Sequence, residues 1–91
     1  MPKISVYPTD RIDSGLDAIP PGQYLAFIYA YSKLNRRPPA EADMQRFFEV
    51  TAPSVHKMIL TLERKGFISR QAGISRSITV LLSPELLPVL K

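Results

Sequence analysis

Thr51-Ala52-Pro53-Ser54-Val55-His56-Lys57-Met58-Ile59-Leu60-Thr61-Leu62-Glu63-Arg64-Lys65-Gly66 is the stretch whose reading decides the fold. Val55, Met58, Ile59 and Leu62 recur at i, i+3, i+4 and i+7, which stacks four apolar groups on one face of a helix. Thr51 offers an N-cap hydroxyl to an orphan N–H of the first turn, and Pro53 fits there because it has no N–H to leave unpaired. Arg64 and Lys65 fall in the last turn, where cations complement the helix dipole, and Gly66 can adopt the left-handed stop. The opposite face carries Ser54, His56, Lys57, Thr61 and Arg64. An apolar back with a basic, hydrogen-bonding front suits a helix that lies in the major groove of DNA. Leu60 is expected to be partly exposed on the same helix, within reach of a thymine methyl or a neighbouring segment.

Upstream, Pro20-Pro21-Gly22 marks a boundary, and residues 23–35 are expected to form a helix. Tyr24, Phe27, Ile28, Tyr31 and Leu34 recur there at helical spacing. The four aromatics Tyr24, Phe27, Tyr29 and Tyr31 could stack on bases, but at that spacing they read as core, with Tyr29 facing outward. Arg36-Arg37-Pro38-Pro39 breaks the helix, because a residue before proline is pushed to extended geometry, and a short extended piece of a small sheet is expected there. A second helix is expected over residues 40–48, with Ala42, Met44, Phe47 and Phe48 on its buried side and Glu41 and Asp43 near its positive N-terminus. Glu49-Val50 is then a tight turn into the helix quoted above. Two short helices joined by so few residues make a helix-turn-helix, braced by the helix before them.

Downstream of Gly66 the period changes. Phe67-Ile68-Ser69-Arg70 and Ser77-Ile78-Thr79-Val80-Leu81-Leu82 read as two strands, and Gln71-Ala72-Gly73-Ile74-Ser75-Arg76 as the loop between them. The hairpin is a wing, with Arg70 and Arg76 flanking its loop in reach of phosphates or the minor groove. Ser83 and Pro84 restart a helical turn as cap and first residue. Leu86, Leu87, Val89 and Leu90 follow as an apolar tail interrupted by Pro88. At the other end, Ile4, Val6 and Tyr7 could form a short edge strand ended by Pro8, and residues 10–20 a loose helical turn or an arm.

Ninety-one residues suffice for one domain and not two. The expected division is an N-terminal extension over 1–20, the winged helix-turn-helix over 21–83 and a short apolar tail over 84–91. With no cysteine there is neither a disulfide framework nor a zinc-ribbon spacing, which fits a reducing, cytoplasmic setting. No apolar run approaches transmembrane length, so no membrane partner is expected. Net charge is +4. Residues 1–35 and 77–91 each sum to zero, so the whole excess lies in 36–76, where Arg36, Arg37, Arg46, Lys57, Arg64, Lys65, Arg70 and Arg76 face four acidic residues. A polyanionic partner follows naturally from that distribution.

Four features of the chain resemble the N-terminal DNA-binding domain of the LexA repressors, a winged helix-turn-helix. They are Pro38-Pro39 before the second helix, Pro53-Ser54-Val55-His56 opening the third, Leu62-Glu63-Arg64-Lys65-Gly66-Phe67-Ile68 closing it, and Ser75-Arg76-Ser77-Ile78 ending the wing. The match covers roughly residues 22–82. The resemblance implies a mainly α domain with a small β-hairpin, and sequence-specific binding to double-stranded DNA as a transcriptional repressor, usually as a dimer. Carried over by position, it puts Ser54, His56, Lys57 and Thr61 toward the bases and the wing at Ser75 and Arg76 on the backbone. With Arg37, Pro53, Arg64 and Arg70, these form the expected DNA-binding set. Pro53 and Lys57 give the helix a front unlike that of well-known members, which leaves its operator open. The family's self-cleaving domain, with its serine–lysine pair, is expected to be missing, and Ala72-Gly73 lies in the wing and not at a cleavage site.

Catalysis has little to stand on. One histidine, no cysteine and no carboxylate pair at ligand spacing offer neither a nucleophile–base pair nor a metal centre, so no cofactor and no enzyme activity are expected. The serious alternative is a winged-helix protein-interaction module without specific DNA binding, since fold does not fix function. The basic front argues against it. The apolar tail and the N-terminal extension could instead supply a homodimer contact.

Overall fold

The computed structural model describes residues 19–90. The edge strand at Ile4, Val6 and Tyr7 and most of the stretch 10–20 lie outside the described residues. Three helices come first: α1 (Pro21–Asn35), α2 (Glu41–Phe48) and α3 (Ala52–Arg64). An antiparallel hairpin of β1 (Ile68–Ser69) and β2 (Thr79–Val80) follows, then a single 3-10 turn at Pro84–Leu86. Mainly helical with one small hairpin, the arrangement is that of a winged helix-turn-helix.

Each helix end has a local cause. Pro20 and Pro21 open α1, two residues earlier than the periodicity indicates, and Gln23 N–H closes the first turn on Pro20 O at 3.0 Å. The helix stops because Arg36 turns left-handed (φ 58°), one residue ahead of the position that Pro38 restricts. In α3, Thr51 is the N-cap, its Oγ1 accepting from Ser54 N–H at 3.3 Å. The far end is a Schellman motif: Gly66 N–H donates to Glu63 O and Phe67 N–H to Leu62 O, both at 3.0 Å. Gly66 holds φ at +79° in this motif. Between α2 and α3 the chain reverses at Glu49, which is also left-handed (φ 56°).

The core forms where the three helices and the hairpin meet. Val55, Ile59 and Leu62 of α3 are fully buried against Tyr24, Phe27 and Ile28 of α1, Met44 of α2, and Ile68 and Ile78 of the hairpin. Tyr24 and Phe27 are core residues, as the helical spacing requires, and they pack with Phe47 and Phe48 of α2 as a ring cluster at centroid distances of 4.6–5.7 Å. Tyr29 is half-buried, with Lys33 Nζ 5.5 Å from its ring centroid.

Several packing expectations are corrected. Leu34 is 82% exposed, because α1 outruns its partners at its C-terminal end, whereas Leu25 and Ala26 are buried although they fall off the expected stripe. Ala40 is the cap of α2 and not its first residue, Ala42 is exposed, and Phe47 is only half-covered. No strand forms at residues 36–39: the sheet among the described residues has two strands, and Pro39 is instead packed into the interior. The strands span two residues each, with Ile68 opposite Val80 and Ser69 opposite Thr79, because residues 70–78 leave the ladder to form the loop. Ser83 makes no side-chain cap to the turn that follows it.

The tail folds back on the domain. Leu87 and Leu90 pack against the core, Gln23 Nε2 donates to Val89 O at 2.9 Å, and a Cβ at Gly22 would stand 2.9 Å from the Pro88 ring. Leu86 and Val89 stay exposed.

Gly66→Ala should lower unfolding stability by about 1–2 kcal/mol, the cost of a left-handed non-glycine residue. Nothing lies within 4 Å of the added methyl, so the loss comes from backbone conformation alone. Urea denaturation with an unchanged m-value checks it; equal stability would show that the helix end can relax out of the motif.

Candidate nucleic-acid interface

The exposed side of α3 is prepared by what its other side touches. With Val55, Ile59 and Leu62 buried and Met58 half-buried, the helix cannot rotate without exposing its apolar stripe, and His56, Lys57 and Arg64 are therefore held outward. Ser54 and Thr61 are half-buried. Ser54 Oγ accepts from Thr51 Oγ1–H at 3.0 Å, and Thr61 Oγ1–H donates back to Lys57 O at 3.0 Å. Pro53 is exposed in the first turn, and Leu60 is partly exposed on the same helix. The structure thus gathers Pro53, Ser54, His56 and Lys57 at the N-terminal end of α3, where side chains of a groove-bound helix reach base edges.

The cations divide into two groups. Arg36, Arg37, Lys57, Arg64 and Lys65 make no ion pair and no side-chain hydrogen bond among the described residues. Arg70 and Arg76, expected from the sequence to flank the wing as phosphate ligands, are instead tied into the protein. Arg70 Nε donates to Glu63 Oε1 at 3.0 Å, bracing the start of the wing loop on the last turn of α3. Arg76 donates to Tyr31 Oη at 3.1 Å and Pro38 O at 3.4 Å and pairs with Asp43 Oδ2 at 3.1 Å. Its backbone is left-handed (φ 58°), which turns the side chain inward. Ser75 is exposed, so of the wing pair it is the serine that faces solvent.

Asp43 is the hub of that inward arrangement, at only 9% exposed. Its carboxylate accepts from Ala40 N–H at 2.8 Å and from Arg46, and it faces Arg76, which donates in turn to Tyr31 Oη. The Ala40 hydrogen bond, followed by the two guanidinium charges, holds the Asp43 carboxyl below its usual range despite the opposing effect of burial. In turn, the Tyr31 hydrogen bond above all raises the Arg76 guanidinium. One carboxylate thereby joins α1, the α1–α2 connection, α2 and the wing. The sequence alone shows Asp43 only as an acid near a helix N-terminus. Its partner lies 33 positions downstream with no local pattern to announce it.

The wing loop is closed by its own bonds as well. Ser77 Oγ accepts from Gln71 N–H at 2.9 Å and donates to Ile74 O at 2.9 Å, and Ile74 N–H donates to Gln71 O at 3.1 Å. Between this loop, the start of α2 and α3 lies an open cleft of about 450 Å³, bordered by Glu41, His56, Arg70, Ile74 and Ser75 among others. Across its helical wall His56 Nδ1 sits 3.2 Å from both carboxylate oxygens of Glu41, a contact with no signature in the sequence. No cluster of three or more His, Cys, Asp or Glu side chains suited to a metal ion occurs among the described residues. No helix among them is long and apolar enough to cross a membrane.

Helix-turn-helix, basic exposed face and braced wing define a winged-helix domain. The sequence comparisons place it beside the LexA repressors: it is 38% identical over 61 residues to the LexA repressor of Thermosipho africanus, a match spanning 67% of this chain and 31% of that protein. It is also 36% identical over 67 residues to the LexA repressor of Thermosipho melanesiensis, covering 71% of this chain and 34% of the relative. The domain is LexA-like, as the double proline, the helix ending and the serine-arginine wing indicate. The chain spans about a third of the length of the curated relatives it matches. No family model matches it.

Asp43→Ala should cost about 2–3 kcal/mol, the scale of losing a partner of a partly buried charged hydrogen bond, and Arg76→Ala should lower stability in the same direction. In a double-mutant cycle the two losses should fall short of additivity by about 1 kcal/mol or more. The pH dependence follows from the lowered Asp43 value. Its stabilisation is complete above the ordinary aspartate range of about 3.9 and is lost as pH falls through the lower folded value. Acid unfolding of wild type should therefore steepen below about pH 4, and Asp43→Ala should flatten that limb. Parallel acid limbs would exclude Asp43 as the group responsible.

Proposed function

We propose that this domain is a sequence-specific binder of double-stranded DNA that acts as a transcriptional regulator, with α3 in the major groove and the wing against the backbone. The observation that carries the reading is the split among the cations. Those on and beside α3 have no protein partner among the described residues, whereas those of the wing stem serve as braces. Unpaired cations beside a rigid helix supply phosphate contacts without first breaking an ion pair. The similarity to two proteins named as LexA repressors supports the same reading. Repression is the mode those relatives suggest, and for a regulator of this kind the working compartment is the one that holds the DNA, the cytoplasm.

Within this reading Pro53, Ser54, His56 and Lys57 face the bases, and Thr61, Arg64 and Arg37 lie on the flanking backbone. Ser75 and the main chain of the wing approach DNA, while Arg70 and Arg76 hold the wing in place. A homodimer through the tail is the arrangement that would match a two-fold operator. Leu86 and Val89 are the outward residues there, because Leu87 and Leu90 serve the domain's own core.

Arg64→Ala should shorten the slope of log affinity against log salt by about one unit, the effect of losing one phosphate contact. Arg76→Ala should leave that slope nearly unchanged per folded molecule while lowering stability. Fluorescence anisotropy on duplexes selected from a random pool measures both. Failure to enrich any duplex would favour a protein-interaction module, and sedimentation equilibrium of Leu86→Ser/Val89→Ser against wild type tests the dimer.

A further inference from the structure

Among the described residues, the Glu41–His56 contact is the one side-chain pair that links the base-facing end of α3 to another element. Glu41 is the first residue of α2, and its two oxygens lie equally far, 3.2 Å, from the same ring nitrogen, His56 Nδ1. A carboxylate can only accept a hydrogen bond, so the nitrogen it faces must carry the proton. Nε2, at the distal corner of the ring, has no partner among the described residues, and the side chain is 53% exposed. The other charged groups around the ring do not compete for it. Lys57 is the next residue on α3, Arg70 across the cleft is paired with Glu63, and Arg76 is paired with Asp43.

We propose that Glu41 is a positioning residue for His56. Its carboxylate holds the Nδ1 proton, so the neutral ring presents Nε2 as a hydrogen-bond acceptor and selects a base bearing an amino group on the contacted strand. In the major groove those bases are adenine, through N6–H2, and cytosine, through N4–H2, whereas guanine and thymine offer only acceptors to a single-strand contact. A histidine in the other tautomer would donate from Nε2, which guanine, thymine and the N7 of adenine all accept, so adenine would no longer be set apart from the keto bases. The pair thus converts an ambiguous side chain into one that distinguishes amino from keto bases. The inference rests on the DNA-binding reading for its ligand but not for its geometry.

Two measurements separate those layers. The sequence contains a single histidine, so a long-range proton–nitrogen correlation spectrum of the labelled protein at about pH 8, where an ordinary imidazole is neutral, reports His56 alone. The expected result is a protonated Nδ1 and an unprotonated Nε2 in wild type. Glu41→Ala, checked for an unchanged helical spectrum, should shift the population toward Nε2–H. A wild-type ring already protonated at Nε2, or identical spectra for the two proteins, would overturn the proposal without any DNA present. Duplex selection is the second measurement. Wild type should enrich adenine or cytosine at one operator position by about fivefold, the scale of one hydrogen bond, and Glu41→Ala should lose or invert that preference. An unchanged preference despite a changed tautomer overturns the base-reading role. A locked tautomer with no duplex enriched by either protein overturns the DNA-binding reading, and with it the readout, while leaving the Glu41–His56 lock established.

Discussion

Everything else in this domain hangs from one buried carboxylate. Asp43 takes a hydrogen bond from Ala40 N–H, which fixes where α2 begins, and its remaining contacts go to Arg46 of its own helix and to Arg76 of the wing, which donates onward to Tyr31 of α1. A charge at that depth is tolerable only when every neighbour around it donates, and here they do. The same contacts fix the hand-off from helices to hairpin, because the wing's return strand begins three residues after Arg76. Two short strands of two residues each would hold little by themselves. Arg76 pinned to Asp43, Tyr31 and Pro38 O gives the hairpin its orientation.

Left-handed residues set the geometry of the connections. Arg36, Glu49 and Arg76 all carry φ values of 56–58° without being glycine, and each sits at a change of direction. Such residues are unfavourable by about 1 kcal/mol or more, so they persist because packing on both sides specifies them. At Arg76 the reward is visible, since the backbone turn aims the guanidinium at its three partners. At Glu49 the turn sets α3 across α2 and brings His56 over Glu41. Turn strain and functional geometry meet at the same place.

The division of labour among the basic residues follows from this. In a domain of this size, a hairpin on short strands needs side chains to brace it, and the guanidinium groups of Arg70 and Arg76 do that with multiple directed donors. The cations without a protein partner among the described residues are those whose backbone position points them out of the fold, chiefly on and after α3. Structural bracing thus uses only some members of one basic segment.

By itself the sequence determined the elements and their faces. The spacing of Val55, Met58, Ile59 and Leu62, the Thr51 cap and the Gly66 stop place α3 within a residue or two, since each is a local property of neighbouring positions. The same holds for α1, for the α2–α3 turn and for the presence of a hairpin. Local pattern could not reveal that Leu25 is core and Leu34 is not, because that depends on how far α1 extends beyond its neighbours. Nor could it reveal that Pro39 enters the interior and not a sheet. The tertiary structure alone decided the contacts of Arg76 and His56. Their partners, Asp43 and Glu41, are 33 and 15 positions away, and contacts at that separation are set by the angle between packed helices and the twist of a hairpin. A cation looks the same in sequence whether it will meet a phosphate or a buried carboxylate; at Arg76 the fold chooses by bringing the carboxylate to 3.1 Å.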